Sequence, residues 1–178
     1  MKELTHCTFS VGASIFVLCV LDLLSWPSIL VALWLSFAVN CAIDVFGHTW
    51  FGPPSRTRLT HSLFTAPLWG VVVSYASYAL VAQIFPVESV LVLWYWIVGG
   101  IAIAMGHLFL DSFTQAGIFY WRRRIAIAHF RYDNPVVNAG FILIGLGLLA
   151  MALGGLEFIA RITPIALSFF VMGAMVEA

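Results

Sequence analysis

The sequence predicts an all-α protein, a polytopic membrane bundle of five or six transmembrane helices. Of its 178 residues, 62% are hydrophobic and 9% are charged, whereas soluble domains carry about 25% charged residues. The apolar residues form runs close to the 20 or so that a helix needs to cross the hydrocarbon core. Because this length suits one compact unit, we expect a single integral membrane domain over residues 1–178, with the site in 1–120 and scaffold in 121–178.

Runs of apolar residues bounded by charge, proline or glycine predict each span in turn. The first follows Lys2 and Glu3, whose charges cancel, and no cleavage pattern follows it, so we expect it to be retained rather than removed as a signal peptide. The sixth is interrupted by Arg161 and Pro164, so it either spans or lies tilted. The predicted spans are about 7–24, 28–45, 62–85, 91–110, 136–153 and 158–176.

The charged residues predict the orientation of these spans. Most basic residues fall on the side of the N-terminus, whereas Arg161 and the acidic Asp22, Glu88 and Glu157 fall opposite. The positive-inside rule therefore predicts a cytoplasmic N-terminus in the cell (inner or cytoplasmic) membrane. Eight basic and eight acidic residues cancel, so no overall field favours a nucleic-acid partner. The basic residues on the N-terminal side are Lys2, Arg56, Arg58, Arg122, Arg123, Arg124 and Arg131.

Histidine and aspartate residues gather at that same predicted face. Ionisable groups in membrane helices cost several kcal/mol unless they are paired, hydrated or coordinating an ion. Because successive helices alternate in direction, the start of span one, the end of span two, the start of span three and the end of span four lie together. The residues at those ends are, in order, His6, Asp44 and His48, His61, and His107 and Asp111.

The spacing of these residues predicts a metal site. Asn40, Asp44 and His48 are four residues apart, as are His107 and Asp111, so each set forms a stripe on one helix. Such a set suits one divalent ion with an open position or two ions that share a carboxylate. Imidazole and carboxylate ligands favour zinc, with manganese or iron as alternatives. Taken singly, each residue is as well explained by an interhelical hydrogen bond. The predicted ligands are Asp44, His48, His61, His107 and Asp111, with His6 as a further ligand or proton carrier.

Two groups of arginines lie beside the predicted site. Arg56 and Arg58 lie in the loop before His61, and their guanidinium forks match phosphate or carboxylate oxygens. The alternative is that they anchor the loop at lipid headgroups. Arg122, Arg123 and Arg124 lie in the long loop 111–135 and are typical of a topology signal and an anionic-lipid contact.

At these residues the chain resembles the YdjM-like family of membrane-bound metal-dependent hydrolases and related archaeal membrane proteins. The resemblance covers about the first 120 residues and implies a membrane bundle with a hydrolytic metal site. Two features depart from the family pattern, since Asp44 lacks a second nearby acid and Arg56 and Arg58 replace a His-Arg pair. The matching motifs are His6, Asp44 with His48, the Thr60-His61-Ser62 element, and residues 106–111 followed by Thr114, Gly117 and Trp121.

The sequence therefore predicts a metal-dependent hydrolase acting on a lipid or another membrane-proximal ester, most plausibly a phosphoester. His6, Arg58 and His61 are the predicted catalytic residues, with Arg58 neutralising developing negative charge. No glycine-rich phosphate loop, GxSxG elbow or HExxH motif is present. One alternative is a non-catalytic membrane protein with a structural metal site or a lipid-binding pocket; another is a metal or proton carrier.

Overall fold

The computed structural model of the chain describes residues 1–48, 56–84 and 90–154. Within these ranges five helices are long and apolar enough to cross a membrane, which confirms the first five predicted spans. The predicted sixth span, and residues 52–55 of the arginine loop, lie outside the described residues. The helices are α1 (Glu3–Val20), α2 (Trp26–Gly47), α3 (Ala66–Ile84), α4 (Val90–Ser112) and α5 (Pro135–Gly154).

Helix α4 lies at the centre of the bundle, packed against α1, α2 and α3. Its Ile103 and Leu108 are buried with Leu35 and Val39 of α2. The outward faces carry large apolar side chains, and on α3 Leu68 and Leu80 are 62% and 63% exposed. Among the described residues, an apolar exterior of this kind is typical of helices that lie in an apolar medium.

Glycines set the closest helix contacts. A Cβ atom on Gly12 of α1 would collide with the backbone of Gly145 of α5, and one on Gly70 of α3 would lie 2.5 Å from the carbonyl oxygen of Gly100 of α4. Small residues allow helix backbones to approach in this way in membrane bundles, where packing rather than the hydrophobic effect drives association. The glycines therefore allow the backbones of α1 and α5, and those of α3 and α4, to pack closely against each other.

The ends of α2 are defined by local sequence. Ser25 accepts a hydrogen bond from the Ser28 backbone N–H, and Ser28 Oγ accepts one from the Ser25 N–H, a capping box that begins the helix. After α2 ends at Gly47, the chain returns past it, and the Thr57 N–H donates to the Gly47 carbonyl at 2.7 Å. This return brings the 56–61 segment against the end of α2.

The loop after α4 contains a β-hairpin that the sequence did not predict, a small departure from an all-α fold. Strands β1 (Ile118–Tyr120) and β2 (Arg123–Ile125) pair antiparallel. The chain reverses at Trp121, which has a φ of 54°, as hairpin turns require at one or both central positions. The Phe119 N–H donates to the His61 carbonyl at 2.8 Å, so the hairpin packs beside the predicted site.

Candidate metal centre

The predicted ligands meet at one end of the bundle, as the alternation of helix directions predicted. His6 comes from the first turns of α1, Asp44 from the last turn of α2, and His107 from the last turns of α4, next to Asp111. His61 reaches the same point from the loop before α3. His6, His61, His107 and Asp111 are at most 2% exposed, while Asp44 and His48 are about one third exposed.

The distances between ligand atoms fit a tetrahedral ion. From Asp111 Oδ2, the His107 Nε2 atom lies at 3.2 Å and the His61 Nε2 atom at 3.5 Å. From Asp44 Oδ1, the same two nitrogens lie at 3.6 and 3.7 Å. Bonds of about 2.0–2.1 Å to a tetrahedral zinc would place neighbouring ligand atoms about 3.3 Å apart. The Asp111 distances match this spacing, and the Asp44 distances exceed it by a few tenths of an ångström.

Three of these ligand atoms are buried without a partner in the described part of the chain. His61 Nε2, His107 Nε2 and Asp111 Oδ2 are inaccessible to solvent and form no hydrogen bond there. Buried polar atoms are almost always paired, and an orphan calls for an explanation such as an ion. Three such atoms that face one another fit a cation between them. The cluster can therefore hold a metal ion, and two separate, neighbouring sets of three residues are close enough to do so: His6, His107 and Asp111, and Asp44, His48 and His61.

The rings of His61 and His107 are each oriented by a contact at the second ring nitrogen, Nδ1. His107 Nδ1 lies 2.8 Å from Asn40 Oδ1. The Asn40 amide donates to the Ser36 carbonyl, so its oxygen is the atom left to accept from His107. His61 Nδ1 lies 2.9 Å from Thr60 Oγ1. Because the Asn40 oxygen can only accept, His107 carries its proton on Nδ1, which leaves the Nε2 lone pair free for an ion; the Thr60 hydroxyl can accept from His61 Nδ1 in the same way.

Asn40 is a residue whose role the sequence reasoning missed. Its place in the stripe with Asp44 was evident, but its pairing with His107 required the packing of α2 against α4. We expect Asn40→Leu to lower zinc affinity by about 10- to 100-fold, because losing an outer hydrogen-bond partner of a ligating histidine has effects of that size. Competition titration with a chromogenic chelator measures it, with the exposed Gln83→Leu as the matched control. Unchanged affinity in Asn40→Leu would contradict the assigned orientation.

Arg56, and not Arg58, reaches the cluster. Its Nη2 atom lies 2.5 Å from Asp111 Oδ1, and its Nη1 atom donates to Thr114 Oγ1 at 3.0 Å and to the Gly117 carbonyl at 2.9 Å. Arg58 is exposed, and its guanidinium lies 5.8 Å from the centroid of the Phe119 ring. The two residues diverge because an isolated backbone bridge pairs Arg56 with His48. Arg56 therefore holds one Asp111 oxygen and leaves Oδ2 facing the histidines.

His6 and His48 lie next to the four central atoms. The His6 ring stacks on His107 with centroids 4.1 Å apart, and its Nε2 is 3.3 Å from Asp111 Oδ1. His48 Nδ1 lies 2.8 Å from the Asp44 carbonyl oxygen and 3.8 Å from Asp44 Oδ1. The predicted ligand His48 is thus placed beside Asp44, and His129, which lies in the loop, is exposed.

Burial affects His61 in a way that favours ion binding. The loss of hydration lowers the pKa of His61 below its usual value of about 6.5, and the nearby Asp44 carboxylate opposes this. A lowered pKa keeps the ring neutral at neutral pH, which is the form that binds metal.

Gly47 makes room for the His61 ring at the end of α2. A Cβ atom there would collide with Thr60 Oγ1 and would lie 2.6 Å from His61 Nδ1. We expect Gly47→Ala to displace this ring and to lower zinc affinity at least tenfold, as measured by the same chelator competition. Gly140→Ala is the control, because a Cβ atom at Gly140 meets no atom within 4 Å. Equal affinity in the two variants would show that the His61 position does not matter for binding.

A cavity of about 800 Å³ opens next to the cluster. It is much larger than one ion, so it has room for part of a substrate. Its walls combine a carboxylate, two imidazoles, two arginines and two aromatic rings. The residues on which the argument depends are His6, Asp44, His48, Arg56, Phe119 and Arg124.

Comparison with known protein families matched residues 1–110 to the family described as "Protein of unknown function (DUF1286)". The matched region contains α1, α2, α3 and every candidate ligand except Asp111, which follows it directly. Neither the curated proteins nor the solved structures gave a match. Since the family matches more than half of the chain, the protein belongs to the DUF1286 family.

Proposed function

We propose that the protein is a membrane-embedded, metal-dependent hydrolase that acts on an anionic lipid ester or another membrane-proximal phosphoester. The observation that carries this is the meeting of three buried atoms, His61 Nε2 and His107 Nε2 within 3.5 Å of Asp111 Oδ2, behind a cavity whose wall includes His6, Asp44 and Arg56. The resemblance to the YdjM-like hydrolases, drawn from the same residues, agrees with the proposal.

The proposed setting is the cell membrane, with the cluster at the cytoplasmic face. Five apolar helices with exposed large apolar side chains support a location in the membrane. The orientation rests on charge, because the arginines of the loops before α3 and after α4 lie at the cluster end of the bundle. Basic loops stay in the cytoplasm.

His61, His107 and Asp111 would hold the ion as two imidazoles and one carboxylate, and a further ligand position would be available to water. Zinc is favoured, with manganese or iron as alternatives. A divalent ion there supplies Lewis acidity toward the ester and lowers the pKa of water to about 7. Asp44 lines the cavity beside the two imidazoles, and as the more exposed carboxylate of the cluster it would accept a proton from water there.

Two cationic or protonatable residues complete the proposed mechanism. Arg56 orients Asp111 through Oδ1 and places its positive charge at the cavity wall, so it takes the role that the sequence assigned to Arg58. Charge at that position stabilises an oxyanion as it develops. His6 lines the cavity beside Asp111, and we assign to it the uptake of the proton that Asp44 receives from water and its transfer to the leaving oxygen.

The alternative is a structural metal site, and one observation favours it. If Asp44 binds the ion together with the three buried ligands, all four tetrahedral positions are occupied by protein, which is the mark of a structural site. The exposure of Asp44 and the cavity beside it favour catalysis. The Asp44 variant described in the Discussion separates the two.

Metal removal and reconstitution tests the proposal. Protein purified in mild detergent is treated with a chelator and then reloaded with zinc, manganese or iron, and hydrolysis of bis-p-nitrophenyl phosphate and p-nitrophenyl acetate is followed. We expect turnover that is lost with the chelator and restored by one of the ions, and that is absent in His107→Ala. No metal-dependent turnover of either probe, or equal turnover in His107→Ala, would contradict the proposal.

A further inference from the structure

The β1–β2 hairpin carries a concentrated positive charge. Arg122, Arg123 and Arg124 follow Trp121 at its turn, and no acidic residue occurs between positions 118 and 130. Trp121 is 69% exposed, and all three arginines are exposed. Such a charge in water is stabilised by a diffuse ion atmosphere or by a specific anion.

Two of the three guanidinium groups are available to a ligand. Arg124 donates from Nη2 to the Gln115 carbonyl at 2.5 Å and from Nε to the Ala116 carbonyl. Arg122 and Arg123 form neither a hydrogen bond through their side chains nor an ion pair with any residue in the described ranges. The fold therefore uses Arg124 to fix the hairpin and leaves its two neighbours unpaired.

An aromatic wall accompanies these arginines. Phe64 lies 5.8 Å from Tyr120 and 5.9 Å from Trp121, measured between ring centroids. Together with the arginines and Ile125, these rings line a groove of about 610 Å³. Amphipathic rings next to guanidinium groups match the headgroup region of a bilayer, where tyrosine and tryptophan concentrate.

We propose that this hairpin groove binds the headgroup of an anionic phospholipid from the surrounding leaflet. The arginines would pair with the headgroup phosphate as forks, and the rings would lie at the boundary with the acyl chains. The groove lies at the cluster end of the bundle, where α4 ends and the loop to α5 begins. A lipid bound there has its polar part at the level of the metal cluster.

The groove also adjoins the cavity of the metal centre. Arg124 lines both, and Phe119, which pairs with Arg124 across the two strands, lines the cavity. An anionic headgroup held by the hairpin therefore lies next to the cavity of the metal centre, because Arg124 borders both. The inference that anionic phospholipids are the substrate class rests on the proposed function, whereas the binding itself does not.

Lipid binding is measured by native mass spectrometry of the full chain in mild detergent. The probes are dihexanoyl phosphatidylglycerol, dihexanoyl phosphatidylcholine and inorganic phosphate. We expect phosphatidylglycerol, which is anionic, to bind at least tenfold more tightly than phosphatidylcholine, which has no net charge. In Arg122→Gln/Arg123→Gln we expect the affinity for phosphatidylglycerol to fall about 30-fold, because each of the two basic residues near an anionic surface contributes about fivefold. Arg131→Gln, which removes an exposed arginine paired with Asp133 outside the hairpin, is the control.

The outcomes are separate from those of the hydrolase test. We expect His107→Ala to retain lipid binding, so a protein without turnover can still confirm the groove. Equal affinity for the two lipids, equal loss in Arg131→Gln, or binding of inorganic phosphate as tight as that of the anionic lipid would overturn the proposal. A folded double variant with wild-type affinity would do the same, and its thermal unfolding midpoint provides the check on folding.

Discussion

Replacing Asp44 with asparagine is expected to lower turnover of bis-p-nitrophenyl phosphate about a thousandfold, the typical loss when a general base is removed. The ion is expected to remain, because His61, His107 and Asp111 still surround it and all three are buried. The amide keeps the size of the carboxylate but cannot accept a proton from water. The effect should appear in kcat more than in KM.

Parallel measurement of metal content and turnover decides the role of Asp44. A variant that keeps its ion and loses turnover supports a catalytic centre. A variant that loses its ion would show that Asp44 is a required ligand, as the structural-site alternative holds. Ser77→Ala is the control, since Ser77 lies in α3 outside the cluster, where its hydroxyl accepts a hydrogen bond from Trp34 Nε1.

Replacing Asp111 with asparagine is expected to remove both the ion and part of the stability. Asp111 is fully buried and is the partner of Arg56, which is 11% exposed. Leaving a buried charge unpaired costs roughly 3 kcal/mol. For a chain of this size such a loss lowers the thermal unfolding midpoint by about 10 °C.

A second variant separates the effect of the unpaired Arg56 guanidinium on stability from the effect of the lost Asp111 ligand on metal binding. In Asp111→Asn/Arg56→Met the unpaired guanidinium is gone, so we expect most of the thermal stability to return while the ion stays absent. Circular dichroism in detergent gives the midpoint, and elemental analysis gives the metal. If Asp111→Asn melts at the wild-type temperature, or if the double variant regains the ion, the arrangement around Asp111 is wrong.

The sequence predicted the helices and their shared end well because both follow from chain-wide physics. Apolar runs must span, and alternating spans return to the same face, so His6, His61 and His107 were expected together before any packing was known. The boundaries were less accurate. Helix α1 begins at Glu3, about four residues before the predicted start, and α3 begins at Ala66, after the predicted Ser62. Charged and hydroxyl residues can begin a helix as well as precede it.

The details that the sequence did not predict depend on tertiary contacts. Whether Arg56 or Arg58 reaches Asp111 is decided by the bridge between His48 and Arg56, and nothing in a loop sequence fixes that choice. The hairpin has strands of three residues, too short to show an alternating pattern. The role of Asn40 arises only when α2 packs on α4. The sequence thus supplied the types of ligand, and the packing supplied their orientation.

The central claim is that the cluster binds a metal ion, and elemental analysis tests it most directly. Wild-type protein and His107→Ala are expressed in separate cultures of the same metal-supplemented medium. Each is purified in mild detergent without chelators and analysed by inductively coupled plasma mass spectrometry. We expect at least one divalent ion per wild-type chain and less than about a tenth of that in His107→Ala, because the variant loses one of three buried ligands. A well-folded wild-type protein without metal, or a His107→Ala variant with the same metal content, would contradict the claim.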